Sequence, residues 1–472
     1  MMTRRDLLLS GAAGLSLSGC ALLASWRARD GRLGETRIGN RDIVLTAAER
    51  NVAIGAKPAP LWLYGDEPFP VLRMAKGESL SVTLRNALRE HTSIHWHGVR
   101  GPNAMDGVPY LTQMPVQPGE QFAYRFTPPD TGTFFFHPHC NTAEQMGRGL
   151  LGALIVEDQT PSSDDDIVLV LKDWRLAEDG QFLPFLTGHG ASQAGTFGTL
   201  RTVNGLEAPR IKAHARTNIR LRLINADPTR ISQIGIDGAT AVVVAIDGNP
   251  VSPFALDTWR LGPGMRLDLL VDAFAADEFH LVDYFAASPV VLVSLEVKGP
   301  SGSKVNNSTS LPGSLNFAGA ALRTLELGAG VDANSVPGPQ PIVLPDGRTI
   351  DLADSLCLAS GTFWTLDGKA WPGRDHKSLP SPLFSFRRGE PVLLELVNTT
   401  SRAHPIHIHG HTMTVLSASL LARPVHRADT VLVLPNERVR VGFVADNPGN
   451  WMIHCHIIEH QETGMMGWFR VS

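Results

Sequence analysis

The stretch Ile406-His407-Ile408-His409-Gly410 decides the fold, because the chain carries a near copy of it, Ile94-His95-Trp96-His97-Gly98. The first histidine of the earlier copy lies 18 residues after Gly77, and the first histidine of the later copy lies 18 residues after Gly389. A fixed spacing repeated around the same motif is typical of duplicated domains. The sequence therefore predicts two copies of one structural unit.

The two copies also agree further along the chain. His137-Pro138-His139 begins five residues after Gly132, and His454-Cys455-His456 begins five residues after Gly449. Each predicted unit therefore carries two His-x-His motifs in the same order.

A weaker third copy lies between these two units. The run Asn218–Asn225 matches the strand that ends at Asn86 in the first unit. Where the histidine pair is then expected, the sequence reads Ile234-Gly235-Ile236. We therefore expect a middle domain that keeps the strand pattern, supplies no metal ligand and acts as a spacer.

The segments between these motifs have the pattern of strands. Residues 79–84 and 438–443 alternate apolar with polar side chains, which predicts strands with one buried face. The 45 Gly and 33 Pro favour a chain with many turns. Several short strands in each unit of roughly 130 residues predict an all-β fold made of Greek-key sandwiches or barrels.

Polar segments separate three predicted domains, the number that a chain of 472 residues suggests at roughly 150 residues per domain. Residues 159–166 and 299–314 are rich in Ser, Gly, Asn and Pro and are predicted linkers. We place the domains at 40–158, 166–298 and 320–472.

The first 25 residues are predicted to be a signal peptide and are excluded from the fold. Thr3–Leu9 has a twin-arginine pattern, and the apolar run that follows is too short to span a membrane. Leu17–Cys20 is similar to a bacterial lipobox, which would anchor the mature protein to a membrane through Cys20. Otherwise, cleavage near Ala24 would release it into the periplasm, and a plain secretory signal is the alternative to twin-arginine export.

Charge and cysteine content narrow the class of protein. Charged residues make up 19% of the chain and the net charge is −4, so no basic field is available to bind nucleic acid.

In an oxidising compartment Cys140 and Cys357 either pair as a disulfide or remain two buried thiols. We expect a monomer.

Ten of the 17 histidines fall into four clusters, and a cysteine lies within the last of them. Residues two apart in a strand point to the same face, so each His-x-His motif presents two imidazoles together. Imidazole with thiolate suits copper or zinc, and this number of ligands exceeds one zinc site. The clusters are His95/His97, His137/His139, His404/His407/His409 and His454/His456/His460.

Cys455 alternates with the histidines on either side of it, so its sulfur is expected to point to the opposite face from theirs. One strand would then offer a thiolate to one metal site and two imidazoles to another. His404 lies upstream, His460 follows Cys455 by five residues, and Met465 follows His460 by five. Two imidazoles, a thiolate and a weak thioether are the ligands of a blue-copper site.

On these motifs the chain resembles the three-domain multicopper oxidases of the laccase-like bacterial kind, from about Asn40 to Ser472. The resemblance implies a cupredoxin fold for each domain and four copper ions per chain. It also implies an enzyme that takes single electrons from a small reducing substrate and reduces O2 to water.

The resemblance further implies a role for each ligand. The type 1 copper would be bound by His404, Cys455, His460 and Met465. The type 2 copper would be bound by His95 and His407. One type 3 copper would be bound by His97, His137 and His456, and the other by His139, His409 and His454.

The resemblance implies that three residues act in catalysis. Electrons would arrive through His460 and pass along Cys455, and Asp106, eleven residues after His95, would supply protons. Several bacterial relatives have a glutamate directly after the last type 1 histidine, whereas this chain has Gln461. The next carboxylate is Glu462, which a strand or turn would aim elsewhere.

The sequence leaves more than one class of substrate open. Oxidation of phenols or aromatic amines is favoured, because the 11 Met include no cluster beyond Met465-Met466 that would suit soft Cu(I). The alternative is a metallo-oxidase that acts on Cu(I) or Mn(II). A copper nitrite reductase lacks the paired type 3 histidines, and a structural cupredoxin-like protein would have lost ligands that this chain retains.

Overall fold

The computed structural model describes residues 31–39, 41–55, 57–158, 165–213, 217–299, 311, 313, 315–329, 342–343, 349–350, 363–371 and 379–472. The predicted signal peptide with its arginine pair and Cys20 lies outside these residues, as does Cys357. Within the described ranges, no helix has the length and apolar character needed to cross a membrane.

The first part of the chain forms two sheets, with strand orders β1-β4-β9-β8-β6 and β3-β2-β5-β7. A 3-10 turn at Asn103–Met105 and helix α1, Thr142–Gly147, lie in the connections. The strands are β1 Glu35–Arg37, β2 Ile43–Ile54, β3 Lys57–Leu63, β4 Val71–Ala75, β5 Leu80–Asn86, β6 His95–His97, β7 Gln121–Phe126, β8 Gly132–His137 and β9 Gly152–Glu157.

The second part forms two further sheets, with orders β11-β10-β13-β18-β15-β16 and β12-β20-β19-β14-β17. A short helix, α2 Gly188–Ala191, lies in the connection between β10 and β11. The strands are β10 Asp165–Trp174, β11 Leu200–Val203, β12 Arg210–Ala213, β13 Asn218–Asn225, β14 Ser232–Asp237, β15 Thr240–Ile246, β16 Asn249–Ala255, β17 Trp259–Leu261, β18 Arg266–Asp272, β19 Glu278–Asp283 and β20 Val290–Val297.

The third part forms sheets of order β24-β21-β26-β31-β28-β29 and β25-β33-β32-β27-β30, with a small β22-β23 pair. Helix α3, Ile458–Glu462, connects β32 to β33. The strands are β21 Leu322–Ala329, β22 Ile342–Val343, β23 Thr349–Ile350, β24 Trp364–Leu366, β25 Phe384–Phe386, β26 Glu390–Asn398, β27 His404–Ile408, β28 Met413–Ala418, β29 His426–Ala428, β30 Thr430–Val433, β31 Arg438–Ala445, β32 Gly449–Cys455 and β33 Met466–Val471.

One sheet of each part has the same topology. A parallel pair, β4–β9, β12–β20 or β25–β33, is followed by an antiparallel strand, β8, β19 or β32. The next strand is β6, β14 or β27. The middle strand β14 contains Ile234 and Ile236, so the aliphatic pair lies where the other two parts carry histidines. The predicted all-β fold is confirmed.

A buried asparagine ends the equivalent strand in all three parts. Asn86, Asn225 and Asn398 each accept a hydrogen bond from the backbone N–H two residues on. Each side-chain amide donates to carbonyl groups of the connection that follows. These bonds satisfy the backbone at a sharp turn that leads to the strand of the histidine motif.

The alternating patterns bury one face of each strand, as predicted. In β31 Val439 and Val441 are buried while Arg438 and Arg440 are exposed. The buried faces of each pair of sheets form separate apolar cores. The core around Ile234 is built from buried residues of the middle part together with Leu432 of the third part. Burial of apolar surface on this scale is the main force that holds such sandwiches together.

Candidate metal centre

Eight of the ten clustered histidines meet where the first and third parts of the chain contact each other. Across β6–β8, His95 pairs with His137, and across β27–β32, His407 pairs with His454. Only the pair His95/His97 lies entirely within a strand, because β8, β27 and β32 each end before the second histidine of their motif. All eight histidines of this cluster are buried: His95, His97, His137, His139, His407, His409, His454 and His456.

His95 and His407 face each other across the junction. Their Nε2 atoms are 3.4 Å apart. The Nδ1–H of His95 donates to the backbone oxygen of Asp106 at 2.8 Å, and that of His407 donates to the backbone oxygen of Asp429 at 3.0 Å. Because each Nδ1 carries the proton, both Nε2 lone pairs point at the same space.

His409 and His454 form a second close pair, with 3.2 Å between their Nε2 atoms. The Nδ1–H of His409 donates to Asp106 Oδ2 at 2.9 Å, and that of His454 donates to the Cys455 backbone oxygen at 2.9 Å. The His139 ring lies 5.0 Å and 5.2 Å from these two rings. Its buried Nε2 has no hydrogen-bond partner in the described part of the chain.

His97, His137 and His456 form a third group, with ring centroids 4.9 to 5.7 Å apart. The Nε2–H of His97 donates to Asp429 Oδ1 at 3.1 Å, and the Nδ1–H of His137 donates to the Pro138 backbone oxygen at 3.0 Å. Among the described residues, the other nitrogen of each ring and both nitrogens of His456 lack a partner.

The unpaired nitrogens need an explanation, because buried polar atoms are nearly always hydrogen-bonded. Burial, followed by repulsion from neighbouring imidazoles, holds the pKa of six of these rings well below the usual range. The rings are therefore neutral near pH 7 and have lone pairs available for a metal ion. These rings are His97, His137, His139, His409, His454 and His456.

A separate cluster lies on the other side of β32. Cys455 Sγ is 3.6 Å from His404 Nδ1 and 3.7 Å from His460 Nδ1, and these two nitrogens are 3.1 Å apart. The far nitrogens are occupied, since His404 Nε2 contacts Thr400 Oγ1 at 2.8 Å and His460 Nε2–H donates to the Gln193 backbone oxygen at 2.7 Å. The three ligand atoms therefore converge on one point.

Burial raises the pKa of the Cys455 thiol, so the thiolate needs a cation beside it. Burial likewise lowers the pKa of His460 to about 3, which keeps its ring neutral. Met465 is fully buried beside them. The Cys455 backbone N–H donates to the Met465 carbonyl, and the Met465 N–H donates to the His460 carbonyl, both at 2.9 Å.

Asp106 is buried behind two of the rings. It follows the 3-10 turn, and its carboxylate contacts His95 Nδ1 at 3.2 Å and His409 Nδ1 at 2.9 Å. Gln461 is buried, and its Oε1 has no partner in the residues that the structure covers. Glu462 lies on helix α3, where we expected a strand or turn, and accepts a hydrogen bond from the Ala143 N–H.

The structure adds detail on two further residues. His460, the predicted point of electron entry, has a fully buried ring that lies beneath the backbone carbonyl of Gln193. Cys140 is buried with its Sγ 3.8 Å from Ser93 Oγ. Cys357 lies outside the described residues, so neither of the two alternatives, a disulfide or two buried thiols, is tested.

The sequence did not predict the residues that hydrogen-bond the histidine rings on the side away from the cluster, Asp429 and Gln193, or Arg266, which binds Asp429. Burial alone would raise the pKa of Asp429, but the Arg266 guanidinium holds it well below its usual range. A lone acid before the apolar run that starts at Thr430 was a signal that could have found it. Nothing in the sequence marks Gln193, whose contact with His460 is made by its backbone.

A buried thiolate with two imidazoles, next to a cluster of eight more imidazoles, is the donor set of a copper protein. The comparisons with known proteins agree with this class. Models of the multicopper oxidase family match residues 46–161, 165–293 and 354–472.

Individual relatives match nearly the whole chain. Multicopper oxidase MmcO of Mycobacterium tuberculosis is 30% identical over 488 residues, covering 97% of this chain and 90% of that protein. Laccase-2 of Botryotinia fuckeliana is 26% identical over 465 residues, covering 85% and 76%. The crystal structure of a multi-copper oxidase from Pseudomonas thermotolerans matches with a TM-score of 0.81 and 34% identity, covering 93% of this chain and 100% of that one.

The chain belongs to the multicopper oxidase family. It is a copper-dependent oxidoreductase that oxidises a reducing substrate with O2 as the acceptor. The predicted series of cupredoxin-like domains is confirmed by the match to the solved structure.

Proposed function

We propose that the protein is a laccase-like oxidase that binds four copper ions and takes electrons from phenols or aromatic amines. The observation that carries this proposal is the convergence of unpaired imidazole nitrogens beside a buried cysteine on the same strand. Neutral imidazoles with a thiolate are the ligands that copper prefers.

We assign the ligands as follows. The type 1 site consists of His404, Cys455 and His460 with Met465 as the axial ligand, the type 2 site of His95 and His407, and the type 3 sites of His97, His137 and His456 and of His139, His409 and His454. The close Nε2 pairs His95–His407 and His409–His454 support two of these groupings. The group around His97 rests on ring spacing and on nitrogens left without partners.

When bound, copper at the type 1 site accepts single electrons and the remaining three ions together reduce O2 to water. The protein contributes a direct covalent connection between the two centres. Cys455 and its neighbours His454 and His456 are consecutive, so the backbone at the end of β32 joins the thiolate to two rings of the eight-histidine cluster. The carbonyl of Cys455 also accepts the Nδ1–H of His454.

Reduction of O2 to water consumes protons. A neutral imidazole that binds a metal through one nitrogen is a very weak acid at the other, so a separate proton donor is needed. Two carboxylates lie within hydrogen-bond reach of rings in this cluster: Asp429, which is held in an ion pair by Arg266, and Asp106, which contacts His95 and His409. Asp106 also lines a small cavity with Trp96, Val99 and Phe126. We assign proton supply to Asp106, because a positioned carboxylate is a typical general acid.

The surroundings of His460 support the proposed substrate class. Its ring lies under the backbone of Gln193, and the Trp364 ring packs 4.4 Å from it. A substrate that docks on residues 187–196 is then separated from the ring by one peptide group and needs no bond to the metal. A one-electron donor such as a phenol or an aromatic amine suits this arrangement. A methionine cluster for Cu(I) is not evident in the sequence.

For the location of the protein we propose the periplasm. The arginine pair at residues 4 and 5 supports twin-arginine export, which carries folded proteins, and the lipobox-like run before Cys20 supports a lipid anchor. Mass spectrometry of the mature N-terminus tests the lipid anchor, since lipidation would leave Cys20 as the first residue, and loss of export in Arg4→Lys/Arg5→Lys tests the twin-arginine route.

Two measurements test the function. Metal analysis of the purified protein should give about four coppers per chain together with strong visible absorption from the thiolate. Steady-state rates on a phenol, an aromatic amine, Cu(I) and Mn(II), compared side by side, should favour the two organic substrates. A clear preference for Cu(I) or Mn(II) would contradict the proposed organic substrates but would not affect the assignment of the copper sites.

A further inference from the structure

We propose that the second domain, although it supplies no copper ligand, positions the ligands at the junction through Arg266. This inference rests on the proposed copper centre. Arg266 begins β18 of the second domain, and its side chain is fully buried between the first and third domains. It acts through another residue, so it is a positioning residue.

Every donor of the Arg266 guanidinium is used. Nη1 and Nη2 bind the two carboxylate oxygens of Asp429 at 2.7 and 2.5 Å, which is the fork geometry of a strong ion pair. Nη1 also donates to the Gly264 carbonyl, Nη2 to the Asp247 carbonyl and Nε to the Thr133 carbonyl, each at 3.1 Å. One side chain thus joins all three domains.

Asp429 transmits this contact to the histidines. Its Oδ1 accepts from His97 Nε2 at 3.1 Å, and its backbone oxygen accepts from His407 Nδ1 at 3.0 Å. The first of these rings belongs to the first domain and the second to the third domain, and they stack with 3.7 Å between centroids. Holding Asp429 therefore fixes which nitrogen of each ring is free.

A second side chain of the second domain, Asp247, holds Thr430, the residue next to Asp429. Asp247 accepts the Arg266 backbone N–H with Oδ1 at 2.8 Å and the Thr430 N–H with Oδ2 at 3.0 Å. The Thr430 hydroxyl donates to Asp429 Oδ1 at 2.9 Å. The second domain therefore fixes both residues of the Asp429-Thr430 pair, each through a different side chain.

Close packing at two glycines gives independent support. A Cβ added at Gly264 would lie 2.6 Å from His456 Cδ2, and one added at Gly98 would lie 2.4 Å from Arg266 Nη2. Both glycines also have φ near +80°, where a side chain is strained. The turn before Arg266 thus forms part of the wall against which the His456 ring rests.

Arg222 provides a matched control. Arg222 is also buried, lies on β13 of the second domain and donates to Thr133 Oγ1 of the first domain at 2.9 Å. Its other partners are Asp166 and Asp268. None of its described partners is a histidine of the metal cluster or Asp429, so its loss should weaken the interface without moving a ligand.

The experiment compares Arg266→Met, Arg266→Lys and Arg222→Met in the full-length protein. Three quantities are measured: copper per chain after dialysis against graded chelator, the paramagnetic resonance signal of the type 2 copper, and the melting temperature of the copper-free protein. We expect Arg266→Met to keep the blue absorption, lose affinity for the other coppers by about 10–100-fold and change the type 2 signal. Arg266→Lys should recover part of the copper affinity, because lysine keeps the positive charge but cannot bind both carboxylate oxygens of Asp429 at once.

Arg222→Met should lower the melting temperature of the copper-free protein while copper retention and the type 2 signal stay as in the wild type. The proposal is overturned if Arg266→Met retains copper and the type 2 signal like the wild type, or if both methionine variants change them equally. Should Arg266→Met not fold, the double variant Arg266→Met/Asp429→Asn removes both buried charges and should fold with the altered signal. A wild-type protein without the three further coppers would instead overturn the proposed function itself.

Discussion

The first and third domains carry the proposed copper ligands on β6 and β27, whereas the second domain carries Ile234 and Ile236 on the equivalent strand β14. The three strands follow the same turn, held by the same buried asparagine. Because all three domains fold alike, the strand pairing and the asparagine turn specify the fold, and the ligands are an addition to it. What separates the domains is the chemistry placed at one strand.

The proposed role of Arg266 makes the second domain more than a spacer. Its own core includes Ile234, so that strand now serves packing. Its contribution to the metal cluster comes from a different place, the turn that ends at Arg266 and contacts Asp429 and His456. A domain without ligands can therefore still hold ligands in position.

The largest effect is expected at the connection between the two centres. Cys455→Ser should abolish the blue absorption and oxidase activity and leave most of the other coppers bound, because a hydroxyl cannot replace the soft thiolate. Absorption spectra and copper analysis measure this. Cys140→Ser is the matched control, since that thiol is equally buried but lies outside the cluster, and it should keep both properties. A strong visible band in Cys455→Ser would rule out the type 1 assignment.

The second-largest effect is expected on the rate of reoxidation by O2, because Asp106 is proposed to supply protons to the cluster between the first and third domains. Asp106→Asn should slow reoxidation of the reduced enzyme by O2 by about 10²–10⁴-fold, and reduction by substrate should hardly change. Stopped-flow traces measure both steps, with copper analysis of the same sample, because Asp106 also hydrogen-bonds His95 and His409. Gln461→Glu in this background should recover part of the rate. Unchanged reoxidation at full copper loading would place the proton supply elsewhere.

A histidine placed on the strand of the second domain should not create a metal site there. Ile234 is fully buried in an apolar core, so Ile234→His leaves an unpaired imidazole and should lower the free energy of unfolding by about 2–4 kcal/mol. Ile236→His is the control, because that side chain is only half buried and should cost less. Denaturant unfolding and copper analysis check this. A gain of copper would mean that the strand alone makes the site.

The smallest effect concerns the axial position of the type 1 site. Met465→Leu should keep the blue colour and raise the reduction potential, because a weakly donating thioether is lost. Redox titration measures the change. Met466→Leu should leave the potential as it is, since Met466 packs in a different apolar cluster. A fall in potential, or none, for Met465→Leu would move the axial ligand to another residue.

The sequence predicted the repeat, the all-β fold and the histidines that the structure brings together, because spacing along a strand determines which side chains share a face. It did not predict Arg266 or Asp429, since their pairing depends on contacts between residues 163 positions apart. The contact that covers His460 was not predicted either, because it comes from a backbone carbonyl in another domain. A strand or turn was expected at Glu462, and helix α3 was found instead.

The most direct test is the anomalous scattering of a copper-loaded crystal at the copper absorption edge. The ligand assignment predicts one peak bounded by His404, Cys455 and His460 and three peaks within the eight-histidine cluster between the first and third domains. The second domain should show no peak at Ile234 and Ile236. A single peak at Cys455 with none among the eight histidines, or a peak beside β14, would contradict the account.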